Sequence, residues 1–189
     1  MKKLLKFMGL LLVAGALFMG CQQNVDIDTD EITLSEGDWS MNQNSSFTFT
    51  DEDGYKASIS AGFTALITVE GDAFTFKSVT RESVFSVTCP SEAEANYLKA
   101  AWDLGKETGE TVSQNGKTVT SKTSNKLTDA ELKEDFGGKY SAKNVEKGFD
   151  GAKLKTNKKK TEYKLSYKDT RTYNGQSYDA DVVITFKKK

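Results

Sequence analysis

Residues 163 to 186 constrain the fold more than any other stretch of this chain. Tyr163 to Tyr173 and Gln176 to Phe186 alternate apolar and polar residues around Asn174-Gly175. A period of two is the mark of a half-buried strand. Asn-Gly is the strongest short-range hairpin signal, because both residues tolerate the positive φ of a type I′ turn. A two-residue loop there sets Tyr167 against Val182, Leu165 against Ile184 and Tyr163 against Phe186. Every pair is apolar, and a slip of one residue would turn the whole set to the opposite face. An antiparallel sheet is therefore expected.

The same register test extends to other turns. Gly71-Asp72, read as a type II′ turn, pairs Val69 with Phe74 and Ile67 with Phe76. A three-residue loop ending at Gly54 pairs Phe49 with Ala57 and Phe47 with Ile59. Asn115-Gly116 pairs Val112 with Val119 in a hairpin that is otherwise polar and is expected to project into solvent. A loop at Asn157 to Lys160 pairs Leu154 with Tyr163, making a three-stranded meander with the last hairpin. Phe85, Val87 and Cys89 alternate as a further strand, and Ile32 to Leu34 suggest a short first one.

Two helices are expected to interrupt the sheet. Pro90 stops a strand, and Ser91 with Glu94 forms a capping box. Ala93, Tyr97, Leu98, Ala101, Trp102 and Leu104 follow at helical spacing up to Gly105. A second box is Thr128 with Glu131, with Leu127 and Leu132 at the staple positions and Phe136-Gly137-Gly138 at the end. The polar residues between the helices, 106 to 126, are expected to be mobile outside their hairpin. The expected class is mainly β: an antiparallel barrel or a sandwich with two short helices inserted.

Gly37-Asp38-Trp39 resembles the Gly-x-Trp opening of lipocalin and lipocalin-like families, in which the tryptophan closes one barrel end. The stretches FTFTDEDGYKASI and ITVEGDAFTFKS resemble the hairpins that follow in bacterial lipocalin-like domains. The likeness covers residues 36 to 89. It departs in lacking a Thr-Asp-Tyr motif and, in Asp181 to Phe186, the arginine that packs over the tryptophan. It implies a barrel that carries a small apolar ligand, with Trp39, Phe63, Ile67, Phe74, Phe76, Tyr163 and Tyr167 as candidate lining. The alternative is that these side chains fill the core.

The first 20 residues differ from the rest. Lys2, Lys3 and Lys6 precede an uncharged apolar run from Phe7 to Met19, the arrangement of a secretory signal peptide. The run is shorter than the roughly 20 residues that span a bilayer core. Leu17-Phe18-Met19-Gly20-Cys21 resembles the bacterial lipobox, in its relaxed spirochaete-type form. In that family cleavage falls before the cysteine, whose thiol carries diacylglycerol. The resemblance implies a lipid anchor on Cys21 and, with Gln22 next, sorting to the outer membrane of a bacterial envelope. Cleavage after Ala14-Gly15-Ala16 is the alternative and would leave Cys21 a plain thiol. The expected organisation is a signal peptide (1–20), an anchored tether (21–35) and one β-rich domain (36–189).

The chain contains no histidine. That excludes Ser-His and Cys-His relays and histidine zinc ligation. With Cys21 and Cys89 the only cysteines, cysteine zinc sites fail too, and a lone Cys89 reads as a small core residue. No glycine-rich phosphate loop is present. Asp26, Asp28 and Asp30 imitate the start of a calcium loop, but Glu31 and Gly37 stand where its glycine and bidentate glutamate belong. Acids are plentiful, yet no pair stands out for glycosidase chemistry. No enzyme, cofactor or metal site is expected.

Charge is uneven along the chain. Residues 22–80 hold eleven acidic and two basic residues, and residues 137–189 hold fourteen basic and six acidic. Nucleic acid is not an expected partner of an exported chain, and the simpler reading sets acidic and basic strands side by side. Lys158 to Lys160 and Lys187 to Lys189 suit anionic headgroups, or guard sheet edges. The expected role is a membrane-anchored, non-catalytic module that binds an envelope or host macromolecule; the alternative is a carrier of a small apolar ligand.

Overall fold

Alternating side chains sort most of the chain into strands. The computed structural model describes residues 31–147, 149, 152–157, 159–173 and 175–189. The expected signal peptide (1–20), Cys21 and the Asp26-Asp28-Asp30 triplet lie outside the described residues. The elements are β1 (Gly37–Thr50), β2 (Lys56–Glu70), β3 (Ala73–Thr88), α1 (Glu92–Gly105), β4 (Glu110–Asn115), β5 (Thr118–Lys126), α2 (Asp129–Phe136), β6 (Tyr140–Ser141), β7 (Lys153–Thr156), β8 (Glu162–Tyr173) and β9 (Gln176–Lys188). The strands follow the order β4-β5-β3-β2-β1-β9-β8-β7, with β6 on β3. The fold is mainly β and antiparallel, with two short helices. Its sheet is open, because β4 and β7 end the order without pairing to each other.

The described chain divides into two compact units, one of residues 47–61 and 82–124, the other of residues 31–46, 62–81 and 125–189. In β1 the boundary follows the polar run Asn42-Gln43-Asn44-Ser45-Ser46, whereas in β2 it falls between the buried Ala61 and Gly62.

The first unit packs α1 on a sheet. Its core joins Ala57, Phe85, Val87, Cys89 and Val119 of the sheet side to Ala95, Leu98 and Trp102 of α1. Trp102 lies against Phe85, ring centroids 5.4 Å apart. The capping box of α1 forms as expected: Glu94 N–H donates to Ser91 Oγ at 3.3 Å, and Ser91 N–H to Glu94 Oε2 at 3.0 Å. The expected helix face is only half right, since Tyr97 is 57% and Leu104 91% exposed.

The hairpin expected to project into solvent is part of this unit's sheet. Val119 and Ser121 are buried. Thr118 and Thr120 of β5 meet Thr88 and Ser86 of β3 hydroxyl to hydroxyl, at 2.8 and 2.9 Å. Facing hydroxyls satisfy one another, which is why a polar pattern did not mean exposure. Glu110 accepts from Ser121 Oγ at 2.5 Å and from Glu107 N–H at 3.1 Å, so it too is buried. The hairpin thus takes up residues 110–115 and 118–126 of the polar segment. The register also moves: Val112 faces Ser121, not Val119, because Gly116-Lys117 forms the loop. Gly116 takes φ +54°, which suits the first central position of a II′ turn.

The second unit holds the larger core, with Ile67, Val69, Leu165, Ile184 and Phe186 almost fully buried. The β8–β9 register is the expected one: Tyr163 faces Phe186, Leu165 faces Ile184 and Tyr167 faces Val182. The β7–β8 pairing is shifted, with Leu154 on Leu165 and Thr156 on Tyr163. Asn157 causes the shift. Its Oδ1 accepts Thr161 N–H at 2.9 Å and its carbonyl accepts Lys160 N–H at 3.0 Å, which closes a longer loop than expected. Phe85, Val87 and Cys89 belong to no separate strand; β3 runs unbroken to Thr88.

Ile32 to Leu34 form no strand, yet both apolar residues are buried. Leu34 N–H donates to Ala142 O at 2.9 Å, Val145 N–H to Ile32 O at 3.2 Å, and Ile32 N–H to the buried Glu146 carboxylate at 2.7 Å. Residues 32 to 34, assigned to the tether on sequence, are thus packed into the unit. The acidic and basic parts of the chain do adjoin, since β1 pairs with β9 and Lys143 bridges Asp72 at 2.7 Å. The second capping box forms as expected at Thr128 and Glu131.

Candidate functional site

The candidate lining residues all fall in the second unit, and their ring contacts divide them into groups. Trp39 heads the first. It is fully buried, its Nε1–H donates to Ser35 O at 2.8 Å, and its ring lies 6.0 Å from that of Tyr163. Lys188 Nζ sits 5.9 Å from the Trp39 ring centroid and donates to Ser35 Oγ at 2.7 Å. A cation over the tryptophan is thus present, supplied two residues beyond the segment that lacks the arginine. Tyr163 turns its hydroxyl to Thr33 O at 3.2 Å.

Phe63, Phe74 and Phe76 form the second group, with two rings that sequence reasoning did not connect. Phe136, at the end of α2, lies 5.5 Å from Phe63 and 4.8 Å from Phe76. Tyr140 stacks on Phe74 at 5.3 Å and meets Phe76 edge-on at 5.3 Å. Edge and offset contacts at these distances are the favourable arrangements of aromatic quadrupoles. The rings therefore fill space against each other. Ile67 is fully buried.

Tyr167 stands apart in the third group, its ring 5.4 Å from Phe149. Burial raises its hydroxyl pKa, Asp169 adds to the rise and Arg171 opposes it. Arg171 donates to Asp169 Oδ2 at 2.7 Å, while its buried Nε has no hydrogen-bond partner. Tyr167, Asp169 and Arg171 share one face of β8 by the period of two. Neither charged residue drew notice in the sequence, because the apolar pattern stops at Tyr167.

An open recess of about 530 Å³ lies at one end of this unit, lined by Glu31, Thr33, Ser35, Lys159, Lys160 and Tyr163. Of the expected lining it includes Tyr163 alone. Its walls join the first described residues to the tip of the β7–β8 hairpin. The same end holds the start of β1 and the end of β9, since Trp39 pairs with Lys188 and Lys188 N–H donates to Thr161 O at 2.8 Å.

One further feature of this end depends on the observed β7–β8 register. Lys155 faces Lys164 directly across the two strands. The register expected from sequence would have set Lys155 against Glu162 instead. Glu162 faces Lys187 across β8 and β9. Lys155, Lys164 and Lys187 are all exposed.

No group of acids and cysteines among the described residues is arranged to hold a metal ion. No described helix is long and apolar enough to cross a membrane. Comparison with protein-family models, curated proteins and solved structures finds no match.

Proposed function

We propose that this chain is an exported bacterial lipoprotein, anchored through acylated Cys21, whose β-rich domain is a non-catalytic interaction module of the cell envelope. The observation that carries the reading is the position of residues 31 to 35. Ile32 and Leu34 are buried in the second unit, so folded structure starts within a dozen residues of the proposed anchor. A segment that short reaches at most about 40 Å when fully extended. The domain would therefore work close to the bilayer that holds it. Two or more acyl chains give a firm hold, each buried methylene adding about 0.8 kcal/mol. The two most buried acids, Glu110 and Glu146, are engaged by donors that order local backbone, which suits binding rather than chemistry.

Replacing the anchor tests this. Cys21→Ser should block acylation and release the product from the envelope fraction. A variant that is still processed normally and still sediments with membranes would overturn the reading.

The second reading is a lipocalin-like carrier of a small apolar ligand. The cation of Lys188 over Trp39 favours it, because the resembling families place an arginine there. A barrel further requires the two edge strands, β4 and β7, to pair. Displacement of a fluorescent fatty acid, together with native mass spectrometry of the purified protein, would distinguish them. Bound mass and displacement support the carrier; neither leaves the interaction module.

A further inference from the structure

We infer that the Lys155–Lys164–Lys187 surface docks on anionic lipid headgroups of the membrane that carries the anchor. This rests on the lipoprotein reading above and goes beyond it, by assigning the domain a face that it turns to the bilayer.

Electrostatics alone would not choose the observed β7–β8 register. Lys155 faces Lys164 directly across β7 and β8, and like charges in that position are destabilising. Shifting the pairing to set Leu154 on Tyr163 would put Lys155 opposite Glu162 and remove the repulsion. The chain instead keeps two exposed ammonium groups together. The described residues provide neither with a carboxylate at ion-pair distance, whereas Lys168, further along β8, is held by Asp181 at 3.0 Å. Lys187 adds a third ammonium on β9, opposite Glu162, and Lys159 and Lys160 carry the excess of positive charge to the hairpin tip.

Position supplies the occupant. The hairpin tip and the segment at residues 31 to 35 line one recess, so Lys159 and Lys160 lie where the chain arrives from Cys21, and Lys155 and Lys164 stand within five residues of that tip on the strands it joins. Only nine residues separate Glu31 from that cysteine. A leash of this length keeps the positive surface within a few Debye lengths of the headgroups, and near contact when the leash is bent. Clustered lysines next to a membrane attachment are attracted to anionic lipid. Acyl chain and basic surface then act as two signals for one membrane.

The test uses the mature acylated protein, purified from membranes and reconstituted into vesicles of phosphatidylcholine alone or of phosphatidylcholine with phosphatidylglycerol. Flotation reads the anchor, and amine-reactive labelling with peptide mass spectrometry reads each lysine. The protein should float with both. Lys155, Lys164 and Lys187 should label about fivefold more slowly on the anionic vesicles. High salt should restore their labelling, and Lys99 and Lys106 of α1 should not respond. Failure to float on phosphatidylcholine would defeat the anchor reading and this inference with it. Flotation with equal labelling on both vesicles would overturn the docking surface alone. Protection in whole envelopes but not on anionic vesicles would also overturn it, in favour of an envelope polymer. The variant Lys155→Gln/Lys164→Gln/Lys187→Gln removes charges from exposed positions. It should keep its circular dichroism and flotation while Lys159 and Lys160 lose their salt-sensitive protection.

Discussion

A Cβ atom placed on Gly62 would lie 1.9 Å from the carbonyl oxygen of Gln43 and 2.9 Å from Asn44 Cα. Both neighbours are backbone of β1, so no side-chain rotation relieves the overlap. Gly62→Ala should therefore force β1 and β2 apart, costing about 1–3 kcal/mol. Gly116→Ala meets no atom within 4 Å and is strained only by its φ of +54°, at about 1–2 kcal/mol. Urea midpoints of both variants check this. A wild-type midpoint for Gly62→Ala would show that the two strands do not approach as described.

The Glu146 carboxylate accepts the Ile32 amide 114 residues away, and Glu146 is almost fully buried. Glu146→Ala leaves that amide without its acceptor, a loss of about 1–3 kcal/mol. The expected signature is local: amide exchange at Ile32 and Leu34 should accelerate well before the β8–β9 hairpin responds. Uniform acceleration through the unit would contradict it.

Helix α1 offers a contrast between residues that the sequence pattern treats alike. Trp102 is buried against Phe85 and Leu104 is 91% exposed. Trp102→Ala should destabilise by about 3–5 kcal/mol, while Leu104→Ser should stay within about 0.5 kcal/mol of the parent. Denaturation of the two single variants decides the matter.

The Ser91 hydroxyl, followed by that of Tyr55, holds the Glu94 carboxyl below its ordinary value of 4.5. A lowered acid stabilises the fold above its unfolded value, and that contribution is lost as pH falls through the folded one. Stability should therefore decline below about pH 4.5, and Glu94→Gln should shallow the decline. Burial, followed by the bond to Glu94, pushes Tyr55 from 10.0 up to about 12. Its contribution runs the other way, present below about pH 10 and lost as pH climbs toward 12. Tyr55→Phe should flatten that alkaline limb. Urea midpoints across pH measure both.

Sequence made the antiparallel framework legible wherever turn chemistry and apolar alternation agree. At Asn174-Gly175 each fixes the same register, and the hydrogen-bonded pairs follow it. At Gly54 they agree again: Asp51 N–H donates to Tyr55 O at 3.0 Å, closing the expected three-residue loop. Where Leu154 can meet either Leu165 or Tyr163, alternation cannot decide, and Asn157 does so through bonds to its own loop. Hydroxyl pairing hid the burial of β5 from any hydropathy argument. The open sheet was not legible either, since alternation specifies faces but not whether edges meet. Among the candidate lining residues, Trp39, Phe63, Ile67, Phe74 and Tyr163 are buried, as apolar alternation leads one to expect. It did not show that Phe136 and Tyr140 would join Phe63, Phe74 and Phe76, because those rings come from separate parts of the chain.

β1 gains β2 as a neighbour early but its second neighbour late, because Ser40 meets Lys187 across 147 residues. During synthesis the second unit therefore keeps an open seam until residues 176–188 have emerged, so the last strand to be made is the one that closes it.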